Sequence, residues 1–281
     1  MGGRALVLGG GGVTGVAWEM GLIAGLAEAG VTLSDADLVV GTSAGSVVGA
    51  QVAGGVDPAE MYAGQLAPAT GAQRTERISP LLLARYALAM LAARGDQQRY
   101  LRRVGRIART ARTVSEAERR TVIEARLPVR DWPADRHLRL CAVDARTGEF
   151  TTFDRDSGVP LVDAVGASCA VPGVWPPVTV NGRQWIDGGM RSTANVDVAA
   201  GSERVVVLAP IPAGIGRNTS VAAQMGRLPA GTRVTAVSPD RAAAAAIGRN
   251  VLDPARRPGA ARAGYAQAEA VAGAVAGVWT G

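Results

Sequence analysis

The chain has 281 residues, 48% of them apolar and 19% charged, a balance that supports a packed core and excludes an intrinsically disordered protein. All thirty basic residues are arginine, so lysine Schiff-base and lysine general-base chemistry are excluded outright. The net charge of +6 is uneven: residues 74–130 hold fourteen arginines against five acids, a net of +9, and the remainder nets −3.

The first predicted element is the strand Ala5–Leu8, followed by a glycine-rich turn over residues 9–15 and a helix over Val16–Ala29, stopped at Gly30. The opening apolar run is too brief for a secretory signal, and no run approaches the ~18 residues of a membrane span. The expectation is therefore a cytoplasmic chain, at most peripheral to a membrane. A second strand, Leu38–Val40, runs into Gly41-Thr42-Ser43-Ala44-Gly45, and a helix continues to Ala53 before Gly54-Gly55. Asp57-Pro58 reads as an N-cap and first helical position.

Residues 74–130 change character and are predicted as a helical insertion in the β/α alternation. The helix Leu81–Ala93 is apolar. The next one interleaves Arg99, Arg102, Arg103, Arg106 and Arg109 with Leu101, Val104 and Ile107, and Ser115-Glu116-Ala117-Glu118 is a capping box that opens a third. Strands resume at Leu138–Val143 and Phe150–Phe153, then a helix at Leu161–Ala167. A hairpin follows over 178–186 with Asn181-Gly182 as its turn. Two further strands, Val205–Leu208 and Arg233–Val237, precede a helical tail from Arg241 to Trp279, broken near Pro254 and Pro258. Cys141 and Cys169 sit in apolar surroundings without metal-ligand spacing and read as reduced core residues. The pattern predicts an α/β fold, a mainly parallel sheet flanked by helices, as one domain over 1–281.

Gly41-Thr42-Ser43-Ala44-Gly45 between a strand and a helix has the form of a nucleophile elbow, a strained turn that exposes a serine. Acyl transfer would also need a base and oxyanion donors. The one histidine, His137, precedes a strand without any motif. It would also precede the acid in sequence, against the serine, acid, histidine order of α/β-hydrolases, so a triad is disfavoured. Asp187, at a strand end before Gly188-Gly189, is the better base, although Asp-Gly-Gly taken alone reads as a plain turn. The turn containing Gly10, Gly11, Gly12 and Val13 can converge backbone amides on one oxyanion at a helix N-terminus. The same Gly10-x-Gly12-x-x-Gly15 spacing is also a dinucleotide fingerprint, but the second strand ends in Thr42-Ser43 where a ribose-binding acid is required.

Together, the glycine loop 10–15, the elbow 41–45 and Asp187-Gly188-Gly189 resemble the patatin-like phospholipase family in motif and order. A fourth segment, Ala167-Ser168-Cys169-Ala170-Val171-Pro172 followed by Pro176-Pro177, is similar as well, so the likeness spans roughly residues 5–210. The resemblance implies a Ser43/Asp187 dyad without histidine, lipid acyl hydrolysis, and no metal or cofactor. The family commonly carries Arg or Lys where this chain has Thr14, so a charge-based head-group contact is not expected there. Two other readings are a nucleotide-binding protein using the glycine loop and a catalytically silent lipid-binding member of the fold. For Arg99, Arg102, Arg103, Arg106 and Arg109 the plain reading is a solvated helix face, and the functional one is contact with an anionic membrane. Nucleic acid ranks lower, since only Tyr100 offers a stacking group.

Overall fold

A computed structural model describes residues 3–67, 76–214 and 219–280. The first half comprises β1 (Arg4–Leu8), α1 (Gly12–Glu28), β2 (Leu38–Gly41), α2 (Ala44–Ala53) and α3 (Pro58–Leu66). Then come the helices α4 (Pro80–Ala93), α5 (Gln97–Thr110) and α6 (Glu116–Glu124). The sheet resumes with β3 (His137–Asp144), β4 (Phe150–Phe153), α7 (Leu161–Ser168), β5 (Val178–Val180) and β6 (Arg183–Asp187). It ends with β7 (Arg204–Leu208), α8 (Val221–Met225), β8 (Arg233–Val237), α9 (Arg241–Ile247) and α10 (Arg257–Trp279).

β1 is buried from Ala5 to Leu8 because it is the centre of the sheet, parallel to β2 on one side and to β7 on the other. β2 continues in parallel to β3, and β7 to β8. The chain thus winds from β1 outward to β3, then returns to the opposite side of β1. The carboxyl end of β1 is therefore a topological switch point, where open α/β sheets form their ligand crevice. The glycine-rich loop leaves from that end.

β3 settles the second half of the site. β4 occupies one of its edges over residues 140–143. A strand has two edges, so β2, paired at 137–140, and β6, paired at 142–144, must share the other. β2 runs parallel to β3 and β6 antiparallel, so their ends converge on Cys141. Gly41 pairs with Leu140 and Asp187 with Ala142. A Cβ on Gly188 would fall 2.4 Å from the Cys141 carbonyl oxygen, so only glycine allows this approach. Two motifs far apart in sequence meet head to head along one strand.

Helices flank the sheet. α1 crosses α10, where Trp18 Nε1 donates to Gln267 Oε1 at 3.0 Å, and buried Trp279 donates to the Thr32 carbonyl at 2.9 Å. α4 and α5 pack Leu82, Tyr86, Leu101, Val104 and Ile107 against Val143 and Ile186 of the sheet. Ser115 and Glu118 form the expected reciprocal capping box. Asn181 and Gly182 take φ of 51° and 71°, as a hairpin turn of this type needs. Both cysteines are buried and unpaired, and burial pushes their thiols up to about 12 for Cys141 and about 11 for Cys169. Among the described residues no helix is long and apolar enough to cross a membrane.

Helix boundaries differ from expectation near both ends of the chain. α1 starts at Gly12 rather than Val16, because the Gly15 amide already donates to the Gly11 carbonyl at 2.8 Å and closes a helical turn ahead of Val16. Pro258 does not break the tail but opens α10, in the first-turn position that needs no intrahelical donor. Arg74, the predicted start of the helical insertion, lies outside the described residues.

Candidate active site

Ser43 stands between β2 and α2 with φ 53° and ψ −116°, a left-handed conformation that a non-glycine residue holds only under constraint. The constraints are visible. Its amide donates to Ser168 Oγ at 3.0 Å. Its carbonyl accepts from Ser46 Oγ at 2.6 Å and from Cys169 Sγ at 3.2 Å. The next turn is bound to the glycine loop just past β1 by the Gly45 amide, 3.0 Å from the Gly9 carbonyl. A Cβ at Gly45 would lie 2.1 Å from the Leu8 carbonyl oxygen, so the helix can leave the sheet this close only with glycine there.

Asp187 is 2% exposed at the end of β6. Its Oδ1 accepts from the Gly189 amide at 2.7 Å, and the Ser43 hydroxyl engages the same carboxylate. Burial pushes its pKa up to about 7, and the Ser43 and Gly189 hydrogen bonds and the Arg119 charge hold it from rising further. A carboxylate held near neutrality beside a hydroxyl suits proton abstraction.

The glycine loop faces the same point: a Cβ on Gly10 would touch the Ser43 Cβ at 3.4 Å. Of the four expected oxyanion donors, Gly10 must be removed, because its amide donates to the Thr193 carbonyl at 2.7 Å. Among the described residues no acceptor takes the amides of Gly11, Gly12 or Val13, and all three residues line the cavity at the uncapped start of α1. Thr14 is fully buried and turned away, its hydroxyl 3.3 Å from the Val251 carbonyl.

Ser43, Asp187 and the loop open into one cavity of about 880 Å³. Its walls are mainly apolar, with Val47, Leu83, Tyr86, Val171, Met190 and Leu252 among them. Polar contributions come from Arg119, Arg126, Glu76 and Glu118. His137 takes no part. It opens β3 opposite Leu38, at the end of the sheet remote from the elbow, about 13 Å of strand before Cys141. Among the described residues no group of three or more His, Cys, Asp or Glu is placed to hold a metal ion.

Sequence reasoning missed the parts played by Ser168, Cys169 and Ser46. The Ala167–Pro172 segment stood out by resemblance, but nothing in its spacing showed that it grips both halves of the site. The Ala170 carbonyl also accepts the Asp187 amide at 3.1 Å. Ser168→Ala would leave the Ser43 amide without an acceptor, which costs about 1–3 kcal/mol for a buried donor. We expect a fall in melting temperature of several degrees in thermal denaturation, and an unchanged value would show that the elbow does not depend on this bond.

A family model described as Patatin-like phospholipase matches residues 6–200. No curated protein matches the chain. Two solved structures are similar over 98% of it: VipD from Legionella pneumophila, at 13% identity and a TM-score of 0.49, and the type III effector protein ExoU, at 15% and 0.42. The matches cover 67% of the VipD chain and 53% of the ExoU chain.

Proposed function

Because the chain belongs to the patatin-like phospholipase family, we propose that it is a serine acyl hydrolase that cleaves carboxylic esters of lipids through Ser43 and Asp187. The observation that carries this reading is the strained Ser43 engaged with a buried, near-neutral Asp187 beside three uncommitted amides. Ser43 Oγ attacks the ester carbonyl carbon while Asp187 takes the hydroxyl proton. The amides of Gly11, Gly12 and Val13 receive the charge that develops on the carbonyl oxygen. As the tetrahedral species collapses, the carbon–alkoxide bond breaks and Asp187 returns the proton to the leaving alcohol. Water then attacks the acyl-enzyme, Asp187 takes its proton, and collapse releases the acid and restores the serine hydroxyl. Only backbone dipoles and one carboxylate are used, which agrees with a chain whose single histidine is remote.

A panel of short and long acyl esters, lysophospholipids and diacyl phospholipids tests the reading. The purified chain is expected to release carboxylic acid from at least one of them. Tight nucleotide binding without any esterase activity would overturn it.

The family match ends at residue 200, yet β7 pairs with β1 and α10 packs along α1. These contacts support counting 201–281 in the same domain, with α4–α6 as a helical insertion. That insertion is also the proposed face toward lipid. Arg99, Arg102, Arg103, Arg106 and Arg109 are exposed on α5. On α4, Leu81, Leu83, Leu88 and Leu91 are 53–74% exposed, and Leu83 also lines the cavity. Arginines near an anionic leaflet contribute about 1 kcal/mol each. Co-sedimentation with anionic vesicles at low salt is therefore expected, with weaker binding to neutral vesicles or at high salt. Undiminished binding after all five arginines become glutamine would overturn the role of this face.

A further inference from the structure

We propose that Arg119, with Arg126 beside it, forms an oxyanion-binding subsite in the Ser43 cavity, so that the favoured acyl esters carry a phosphate-type anion. The inference rests on the hydrolase reading and adds a determinant of which ester enters.

The starting point is an unmatched cation. Arg119 is 5% exposed, and its Nη1 is buried without a hydrogen-bond partner. Its guanidinium lies 3.8 Å from the centroid of the Trp175 ring. Among the described residues three other arginines lie over aromatic rings: half-buried Arg4 sits 5.4 Å from the Trp279 centroid, and the two more closely stacked ones are each closed by a carboxylate. Arg183 over Trp185 pairs with Asp144 at 2.7 Å, and Arg191 over Phe150 pairs with Asp197 at 2.5 Å. The adjacent Arg120 points outward and meets Asp163 and Glu124. Among the described residues no carboxylate closes an ion pair with Arg119.

The acids that share the cavity do not supply one. Glu118 accepts from the Ser115 amide and hydroxyl, both at 2.8 Å, in the cap of α6. Asp187 engages Ser43 and Gly189 and acts on Arg119 only through its charge, without an ion pair. Glu76 favours the charge on Arg119 from a distance without forming an ion pair. Arg126 follows seven residues later and lines the same cavity; burial lowers the pKa of both guanidiniums, that of Arg119 to about 10. Arg119 therefore stays charged at neutral pH. A desolvated cation that Asp187 and Glu76 favour only from a distance, with no ion pair closed, is costly unless a ligand brings a nearer counter-charge. The planar fork of arginine on an indole face matches phosphate oxygens. The rest of the cavity is apolar enough for the attached chain.

The test is a binding measurement that needs no turnover. Calorimetry on the full chain would compare octyl phosphate, 1-octanol and inorganic phosphate. Octyl phosphate is expected to bind at least about 30-fold more tightly than octanol, the scale of a charge-assisted hydrogen bond. That preference should shrink to about 3-fold or less in Arg119→Gln and be partly kept in Arg119→Lys. If Arg119→Gln fails to fold, Arg126→Gln and Arg119→Lys carry the comparison. Inorganic phosphate binding as tightly as octyl phosphate keeps the oxyanion site and assigns it to a free anion. No preference over octanol in the wild type, or an unchanged preference in folded Arg119→Gln, overturns the subsite. A chain that hydrolyses esters but shows no preference loses this inference alone. A chain that binds octyl phosphate through Arg119 but hydrolyses nothing loses the hydrolase reading instead.

Discussion

Ser43→Ala is expected to lower ester turnover by at least about four orders of magnitude, the scale of losing a nucleophile from a concerted site. It should also abolish labelling by an organophosphonate, which reacts with the same activated oxygen. The alanine keeps the left-handed backbone strain, which costs about 1–3 kcal/mol at a non-glycine residue. Ser43→Gly releases it, so this variant should be equally inactive yet melt above Ser43→Ala. The pair separates chemistry from geometry. Inactivity in both with the glycine variant more stable identifies a side chain held under strain for its oxygen. Substantial residual hydrolysis in either would mean that another group attacks the ester.

Much of this arrangement was readable from the sequence, for local reasons. β1 and β2 are apolar runs cut off by glycines, and such runs are buried parallel strands when helices follow. The elbow declared itself because Gly41 and Gly45 bracket a serine between a strand and a helix. Asn181-Gly182 fixed the hairpin that delivers Asp187. What stayed hidden was non-local. Nothing in the chain says that β4 fills one edge of β3 and drives β2 and β6 onto the other, although that pairing brings Ser43 to Asp187. Gly10 looked equivalent to its neighbours until the Thr193 carbonyl took its amide. The arginine-rich block read as one positively charged segment, whereas the fold divides it. The five arginines of α5 face solvent, but Arg119 shares a face of α6 with Val122 and Ile123 and turns into the cavity. The three-and-four spacing of Arg119 with those apolar residues was the signal that could have found it.

Asp187→Asn is expected to reduce turnover by at least about two orders of magnitude, the loss that follows removal of a general base. His137→Ala should stay within a few-fold of wild type, since that imidazole sits at the far end of β3. The wild-type pH profile carries the same claim. Asp187 acts as base only when ionised, so kcat/KM should rise with pH and level off above about 7, where burial has pushed its pKa. The same displacement makes the residue a liability for folding. Below the ordinary aspartate value both folded and unfolded chains hold the proton, and Asp187 contributes nothing to pH dependence. Between 3.8 and about 7 the folded chain binds a proton that the unfolded chain has released, so stability falls as pH rises. Above about 7 the penalty is constant, with a ceiling of about 4 kcal/mol. Asparagine can accept the Gly189 amide without bearing charge and escapes this penalty. Asp187→Asn should therefore melt above wild type at pH 8, with the advantage shrinking as pH falls toward 4. A variant that loses activity and is also less stable at pH 8 would instead mark Asp187 as a structural acid, and the base would have to be sought elsewhere.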